Sequence, residues 1–356
     1  MDLYIFILNI TRPGGTERAV SNLANMLSGH YHVSVVSLCS TEKNDLYFYL
    51  EDSVDVLHLG MPELDTNIYS KVKWFYSVYK KVDQLKLNNS ILIGTGHNIN
   101  LLLPFWKRKN VKVVGCEHIQ FDSISWFYRL IILPFYLLLN AIVVLSHSAE
   151  KKLKQHMTAL KNIFVIPNSL SFIPLKTSDL TIKRIIMVGR LSPEKGYERV
   201  VRIASFMQRK FPDWNIVIFG DGLLKEKLNS LFINMHLSNI EICHSVPDIM
   251  KEYINSSIFM MTSYSEAMPM VILEANVCGL PVVAFECEGT KELIKDGGNG
   301  FLIKNDDYID FEEKISLLMS DYDTRKYMSE EALRYSYNFQ PERIVKAWMS
   351  LIDMMN

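Results

Sequence analysis

The chain has 356 residues, more than one hydrophobic core usually fills, so two domains of ordinary size are expected. Hydrophobic residues make up 49% and charged residues 22%, the balance of a globular protein and not of a disordered one. The formal charge is −1, so no global basic field recommends nucleic acid as a partner.

The opening MDLYIFILNI lacks the basic flank and cleavage site of a signal peptide and reads as a buried first strand. Apolar runs at residues 3–8, 33–38, 54–57, 91–93, 111–116, 141–145 and 163–166 are predicted strands, with helical periodicity over 16–27 and 71–87. Residues 126–145, WFYRLIILPFYLLLNAIVVL, are long enough to span a bilayer, but Arg129, Pro134 and Asn140 interrupt them. A core helix followed by a strand is the preferred reading, and a helix lying on the membrane surface the next. Basic and aromatic residues interleave in this half: Lys71, Lys73, Trp74, Tyr76, Lys80 and Lys81, then Phe105 to Lys109, then Trp126, Tyr128 and Arg129. They suit anionic headgroups, or are ordinary solvated helix faces. PNSLSFIPLKTSDLT, residues 167–181, is rich in Pro, Ser and Thr and reads as a linker.

The second half restarts with predicted strands at 184–188, 214–219, 240–243, 258–262, 281–285 and 300–303. Helices are expected over 197–210, 223–235 and 270–278, and from 311 onward. The alternation is that of α/β architecture with parallel sheets. Five cysteines (Cys39, Cys116, Cys243, Cys278 and Cys287) show no CxxC spacing and read as reduced core thiols of a cytoplasmic protein.

Three stretches carry chemistry. In SYSEAMPMVILEANVCGLPVVAF, residues 263–285, a strand ends near Thr262 and a helix begins at Pro269 or Met270, where proline suits the first turn. Amides at that helix start form an anion site, at the strand edge where open parallel sheets bind ligands. Glu266 precedes the helix and Glu274 lies inside it, so both can face a ligand and accept from sugar or ribose hydroxyls. Taken singly, Glu266 would be a partner of the helix dipole and Glu274 a solvated helix residue. VGRLSPEKG, residues 188–196, brings Arg190 and Lys195 to a strand-to-helix loop. They could neutralise a diphosphate leaving group, or simply be surface cations flanking a turn. RPGGTERAV, residues 12–20, sets Gly14 and Gly15 between a strand and a helix, where backbone can approach a ligand closely. It matches neither GxGxxG nor a Walker motif.

With Glu117-His118 after a mid-domain strand, the IFGDG turn at 218–222 and EGTKELIKDGGNGFLI at 288–303, these motifs resemble the family-four retaining glycosyltransferases (glycosyl transferases group 1) of the bacterial polysaccharide-assembly type. The resemblance covers most of the chain. It implies an α/β GT-B fold, two Rossmann-like domains facing each other across a cleft. An acceptor domain would span 1–168, a hinge 169–181 and a nucleotide-sugar domain 182–338, with a helix in 339–356 packing back on the first domain. Arg190 and Lys195 would clamp the diphosphate, Glu266 would contact the donor sugar, and Glu274 the ribose. Backbone at Met268, Pro269, Met270 and Val271 would meet the phosphates or sugar, and Gly15 would let its loop approach them. His118 would touch the sugar near the reacting carbon, with His97 a weaker candidate for acceptor contact.

The partners implied are a nucleotide sugar, UDP-linked by family frequency, and a lipid-linked oligosaccharide acceptor at the inner membrane surface. No cofactor or metal is expected; the acidic pair Asp321 and Asp323 lies in a polar helical region away from the other motifs. Two departures from the family pattern, Ala267 where glycine is usual and Ser245 where glycine is common, imply a reshaped pocket. A nucleotide-sugar epimerase of the same architecture and a non-catalytic binding protein are the rival readings.

Overall fold

The computed structural model describes residues 1–41, 45–65, 67–85, 87–118 and 126–355, with backbone alone at 68 and 126–128. It divides into two compact units, Met1–Ser169 with Pro341–Asn356, and Leu170–Gln340.

The first unit runs β1 (Asp2–Ile7), α1 (Gly15–Ser28), β2 (His32–Ser37), β3 (Val54–His58), α2 (Ile68–Asp83), β4 (Ser90–Thr95), α3 (His97–Asn100), β5 (Val111–Glu117), α4 (Trp126–Tyr136), β6 (Ala141–Val144), α5 (His147–His156) and β7 (Ile163–Val165). Its strands form one parallel sheet in the order β3-β2-β1-β4-β5-β6-β7. Helices cover both faces, which is why β4 is buried at every residue. The strand order reverses between β1 and β4, the place where such sheets open a crevice at their C-terminal edge.

The second unit runs β8 (Arg184–Val188), α6 (Val200–Lys210), β9 (Asn215–Phe219), α7 (Lys225–Asn234), β10 (Ile240–Cys243), α8 (Met250–Ile254), β11 (Ile258–Met261), α9 (Met270–Val277), β12 (Val282–Phe285), α10 (Glu288–Leu293), β13 (Gly300–Ile303), α11 (Tyr308–Ser320) and α12 (Tyr322–Ser336). Its parallel order is β10-β9-β8-β11-β12-β13. The final helix, α13 (Pro341–Met355), returns to the first unit, where Ile344, Trp348, Leu351 and Ile352 join the core beneath Val20, Leu23 and Leu27 of α1.

The structure corrects several expectations. Residues 170–181, read as a hinge, pack on the second unit. Leu170 N–H donates to the Phe339 carbonyl at 2.8 Å, Ser178 N–H to that of Cys278 at 2.9 Å, and Arg325 Nη2 to that of the buried Leu180 at 3.3 Å. Low periodicity hid these anchors. Residues 126–145, by contrast, are α4 followed by β6, the helix and strand that their pattern predicts, and among the described residues no helix is long and apolar enough to cross a membrane. The helix expected from 311 is two helices broken at Asp321, whose carboxylate caps α12 by accepting from the amides of Asp323 at 3.0 Å and Thr324 at 3.3 Å.

Candidate functional site

In the second unit β8 and β11 pair in parallel, and the loops leaving their C-terminal ends are stitched together. Gly196, at φ 60°, closes the short turn Pro193–Lys195. A Cβ there would stand 2.5 Å from the Thr262 carbonyl, so the loop can lie on the end of β11 only with glycine. Tyr264 N–H donates to the Glu194 carbonyl at 2.9 Å, and Thr262 Oγ1 to that of Lys195 at 3.2 Å. Beneath them the buried Arg199 donates to the Thr262 carbonyl at 3.2 Å and pairs with Asp306 at 2.8 Å. Its guanidinium also lies 3.7 Å from the centre of the Tyr264 ring.

This scaffold brings Lys195 and Glu266 together. Lys195 Nζ donates to Glu266 Oε1 at 2.5 Å, and Ser263 Oγ donates to the same oxygen at 3.0 Å. Their side chains keep 24% and 13% exposure, so the pair is largely withdrawn from water yet still open to a ligand. Arg190, at the end of β8, is exposed; among the described residues no ion pair or hydrogen bond joins it to Lys195 or Glu266.

The loop of Glu266 leads straight into α9. Met268, Pro269 and Met270 are buried and Val271 half-buried. Pro269 is the N-cap; among the described residues no side chain caps the helix by a hydrogen bond, and its first turn holds no acidic residue, which leaves its positive end suited to an anion. Glu274, one turn on, is 2% exposed. Ser171 Oγ donates to its Oε1 at 2.9 Å and Tyr253 OH to its Oε2 at 3.1 Å. The reading of Glu274 as a solvated helix residue is therefore wrong; two hydroxyls allow the carboxylate to be buried.

Two features of this region were missed in the sequence. Gly289 N–H donates to the Glu266 carbonyl at 2.9 Å, and a Cβ at 289 would lie 2.7 Å from that oxygen. The first turn of α10 thus abuts the Glu266 loop. Asp221, in the IFGDG turn, gathers the loop after β10. It accepts from His244 Nδ1 at 2.7 Å, from Lys225 Nζ at 3.2 Å, and from Ser245 N–H and Oγ at 2.9 and 2.8 Å. Partial burial raises its pKa, but these donors outweigh that and hold the carboxyl well below the usual range. The hydroxyl of Ser245 thus fills a defined role; both residues were in view, and only their contact was not.

The remaining candidates lie in the first unit. His118 follows β5 and lines a pocket there with Ala19, Thr95, Cys116, Leu145 and Trp348. Burial pushes its pKa down to about 4, leaving a neutral imidazole at neutral pH. Its neighbour Glu117 is 7% exposed. Oε1 accepts from Asn100 Nδ2 at 2.6 Å and from Tyr136 OH, while Oε2 is buried without a partner among the described residues. Burial pushes the Glu117 carboxyl up to about 7, against the lowering effect of those two bonds. Gly15 is exposed at the start of α1, and a Cβ there would meet no described atom within 4 Å, so packing does not demand glycine. His97 opens α3; burial, then the Lys71 charge, lowers its pKa. Among the described residues no group of three or more His, Cys, Asp or Glu could hold a metal ion.

Residues 175–335 match the family model described as "Glycosyl transferases group 1". An uncharacterized glycosyltransferase of Haemophilus influenzae is 30% identical to this chain, over 98% of each. The Campylobacter jejuni protein named "GalNAc-alpha-(1->4)-GalNAc-alpha-(1->3)-diNAcBac-PP-undecaprenol alpha-1,4-N-acetyl-D-galactosaminyltransferase" is 24% identical, over 98% of this chain and 97% of its own. TarM of S. aureus, solved with Fondaparinux, alpha-GlcNAc-glycerol and UDP, superposes with a TM-score of 0.82 at 14% identity, covering 99% of both chains.

Proposed function

This chain belongs to the glycosyl transferases group 1 family and has the α/β GT-B fold of two Rossmann-like units, and from that premise we propose that it is a retaining hexosyl- or N-acetylhexosaminyltransferase. The donor is a nucleotide diphosphate sugar, UDP-linked, and the acceptor a growing lipid-linked oligosaccharide of a bacterial surface polysaccharide. The observation that carries this reading is the contact of Lys195 with Glu266 in the loop that leads into the start of α9. A cation and a helix N-terminus suit a diphosphate, and the adjoining carboxylate suits sugar hydroxyls.

In this reading Lys195, Arg190 and the amides at Met268, Pro269, Met270 and Val271 meet the donor phosphates or sugar, with proline contributing only its carbonyl and ring. Glu266 accepts from the donor sugar. Glu274, oriented by Ser171 and Tyr253, accepts from the ribose. His118 is neutral and hydrogen-bonds the sugar near the anomeric carbon, and the open space at Gly15 admits the diphosphate. The acceptor oxygen bonds to the anomeric carbon on the side from which the diphosphate departs. As the bond from that carbon to the phosphate oxygen breaks, a departing phosphate oxygen takes the acceptor's proton, and configuration is retained. Positioning and neutralisation of the leaving charge do the work, and no metal is invoked. The UDP bound to TarM and the undecaprenol-linked substrate in the name of the Campylobacter relative support donor and acceptor classes. An acceptor of that kind puts the enzyme on the inner face of the membrane as a peripheral protein.

The test is incubation with a panel of labelled UDP-sugars and polyprenyl-diphosphate oligosaccharides in vesicles, with the new linkage assigned by its anomeric proton coupling. A product of retained configuration is expected. An inverted linkage sinks the mechanism, sugar epimerisation without acceptor assigns an epimerase, and binding without turnover assigns a binding protein.

A further inference from the structure

Residues 68–140 carry ten basic residues against three acidic ones, in a chain whose formal charge is −1. Within that segment α4 is apolar on two opposite sides. Its inner side, Ile132 and Tyr136 continued by Leu139, is buried in the core. Its outer side is Leu130, Ile131 and Pro134, continued by Leu137 and Leu138, and all five are exposed. Leu130 keeps 60% of its surface in solvent and Leu138 53%. Positions i, i+1, i+4, i+7 and i+8 make one continuous stripe. A helix on the surface of a globular protein normally turns charge to water there; an apolar outer stripe marks a second apolar neighbour.

The surroundings of the stripe say what that neighbour is. Phe105, itself exposed, touches Phe135 at 6.0 Å and Tyr79 at 6.4 Å, extending the patch toward α2. Lys107 Nζ reaches over it to the Leu138 carbonyl at 2.6 Å, Lys109 is exposed two residues further along the chain, and Lys80 lies 4.7 Å from the exposed Tyr76 ring. Of the described acids in this segment, Glu117 is buried and Asp83 is engaged by Arg108 at 3.2 Å. The rim is therefore cationic. Trp74 and Trp106, expected at an interface, are core residues at 4% and 2% exposure, and the side chains of Trp126 and Tyr128 lie outside the described residues.

We propose that this face docks the protein on an anionic bilayer, the stripe of α4 and Phe105 entering the boundary between headgroups and acyl chains and Lys80, Lys107 and Lys109 meeting lipid phosphates. A second copy of the chain would meet the rim with like charge, which favours lipid over self-association. The inference rests on the reading of a lipid-linked acceptor and assigns the surface that brings the enzyme to it.

The test uses the full chain and sedimentation with vesicles of phosphatidylglycerol and phosphatidylcholine, or of phosphatidylcholine alone. Binding to the anionic vesicles, weakened by high salt, is expected. Leu130→Glu with Leu137→Glu should cut the partition coefficient at least tenfold, and Lys107→Gln about fivefold. Because these side chains are exposed, the double variant should melt as wild type and transfer sugar to a water-soluble, short-chain acceptor unchanged. Wild-type binding by the double variant, or a wild type that ignores anionic vesicles, overturns the proposal. So does a wild-type dimer in sedimentation velocity that the double variant dissociates. Loss of vesicle binding with intact soluble transfer separates this surface from the catalytic reading. Stripe-dependent binding without any transfer would sink only that reading.

Discussion

Gly289 donates its amide to the Glu266 carbonyl at 2.9 Å, and Glu266 in turn holds Lys195 at 2.5 Å. A small residue on one helix thus sets the position of a cation on another loop. Gly289→Ala forces its Cβ against the Glu266 carbonyl at 2.7 Å and Pro269 Cδ at 2.8 Å. We expect a stability loss of about 1–3 kcal/mol in urea melts. Donor KM should rise more than kcat falls. An unchanged KM would remove Gly289 from the support of the site.

Tyr253 is fully buried and gives its hydroxyl to Glu274. Tyr253→Phe leaves that carboxylate one donor short, at a cost of about 1–2 kcal/mol in stability. If Glu274 serves the ribose, weakened binding should appear with UDP and with uridine alike. Calorimetric titration of both ligands checks this; a defect for UDP alone would point to the phosphates instead.

The adjacent Glu117 and His118 titrate with opposite consequences. The Glu117 carboxyl is raised from 4.5 to about 7, so its contribution to stability is complete below pH 4.5 and lost as pH rises through 7. His118 is lowered from 6.5 to about 4, so its contribution is complete above pH 6.5 and lost as pH falls through 4. Glu117→Gln abolishes only the first of these. Relative to wild type, its stability should rise by about 2–3 kcal/mol between pH ~5 and ~8. Denaturant melts at the two pH values read the difference directly, and parallel pH profiles would refute the buried acid. The difference between pH values also cancels any constant cost of burying the new amide.

Much of this architecture was legible because strands covered on both faces read as short continuous apolar runs, and the runs at 91–93 and 258–262 mark β4 and β11 to within a residue or two. Helices α3 and α10, four and six residues long, are too short to show a period and were not seen. At the site, the charge types of Lys195 and Glu266 were legible, but their direct contact depends on Gly196 and Arg199, which act through backbone across the fold. The burial of Glu274 was not legible either, since it needs Ser171 from 103 residues away in the chain. Likewise α4 reads as core from its composition, and only coordinates separate the side holding Ile132 from the side exposing Leu130.

The most direct measurement is turnover of a labelled UDP-sugar by wild type and Lys195→Ala side by side. Because the pair keeps some exposure, losing the lysine should cost only about 1–2 kcal/mol of stability, and the variant should stay folded by circular dichroism. Wild type should form glycosylated product and the variant at least about a thousandfold less, the loss of a principal leaving-group contact. A folded variant that transfers sugar at the wild-type rate would contradict the assignment of Lys195 and Glu266 as the donor site.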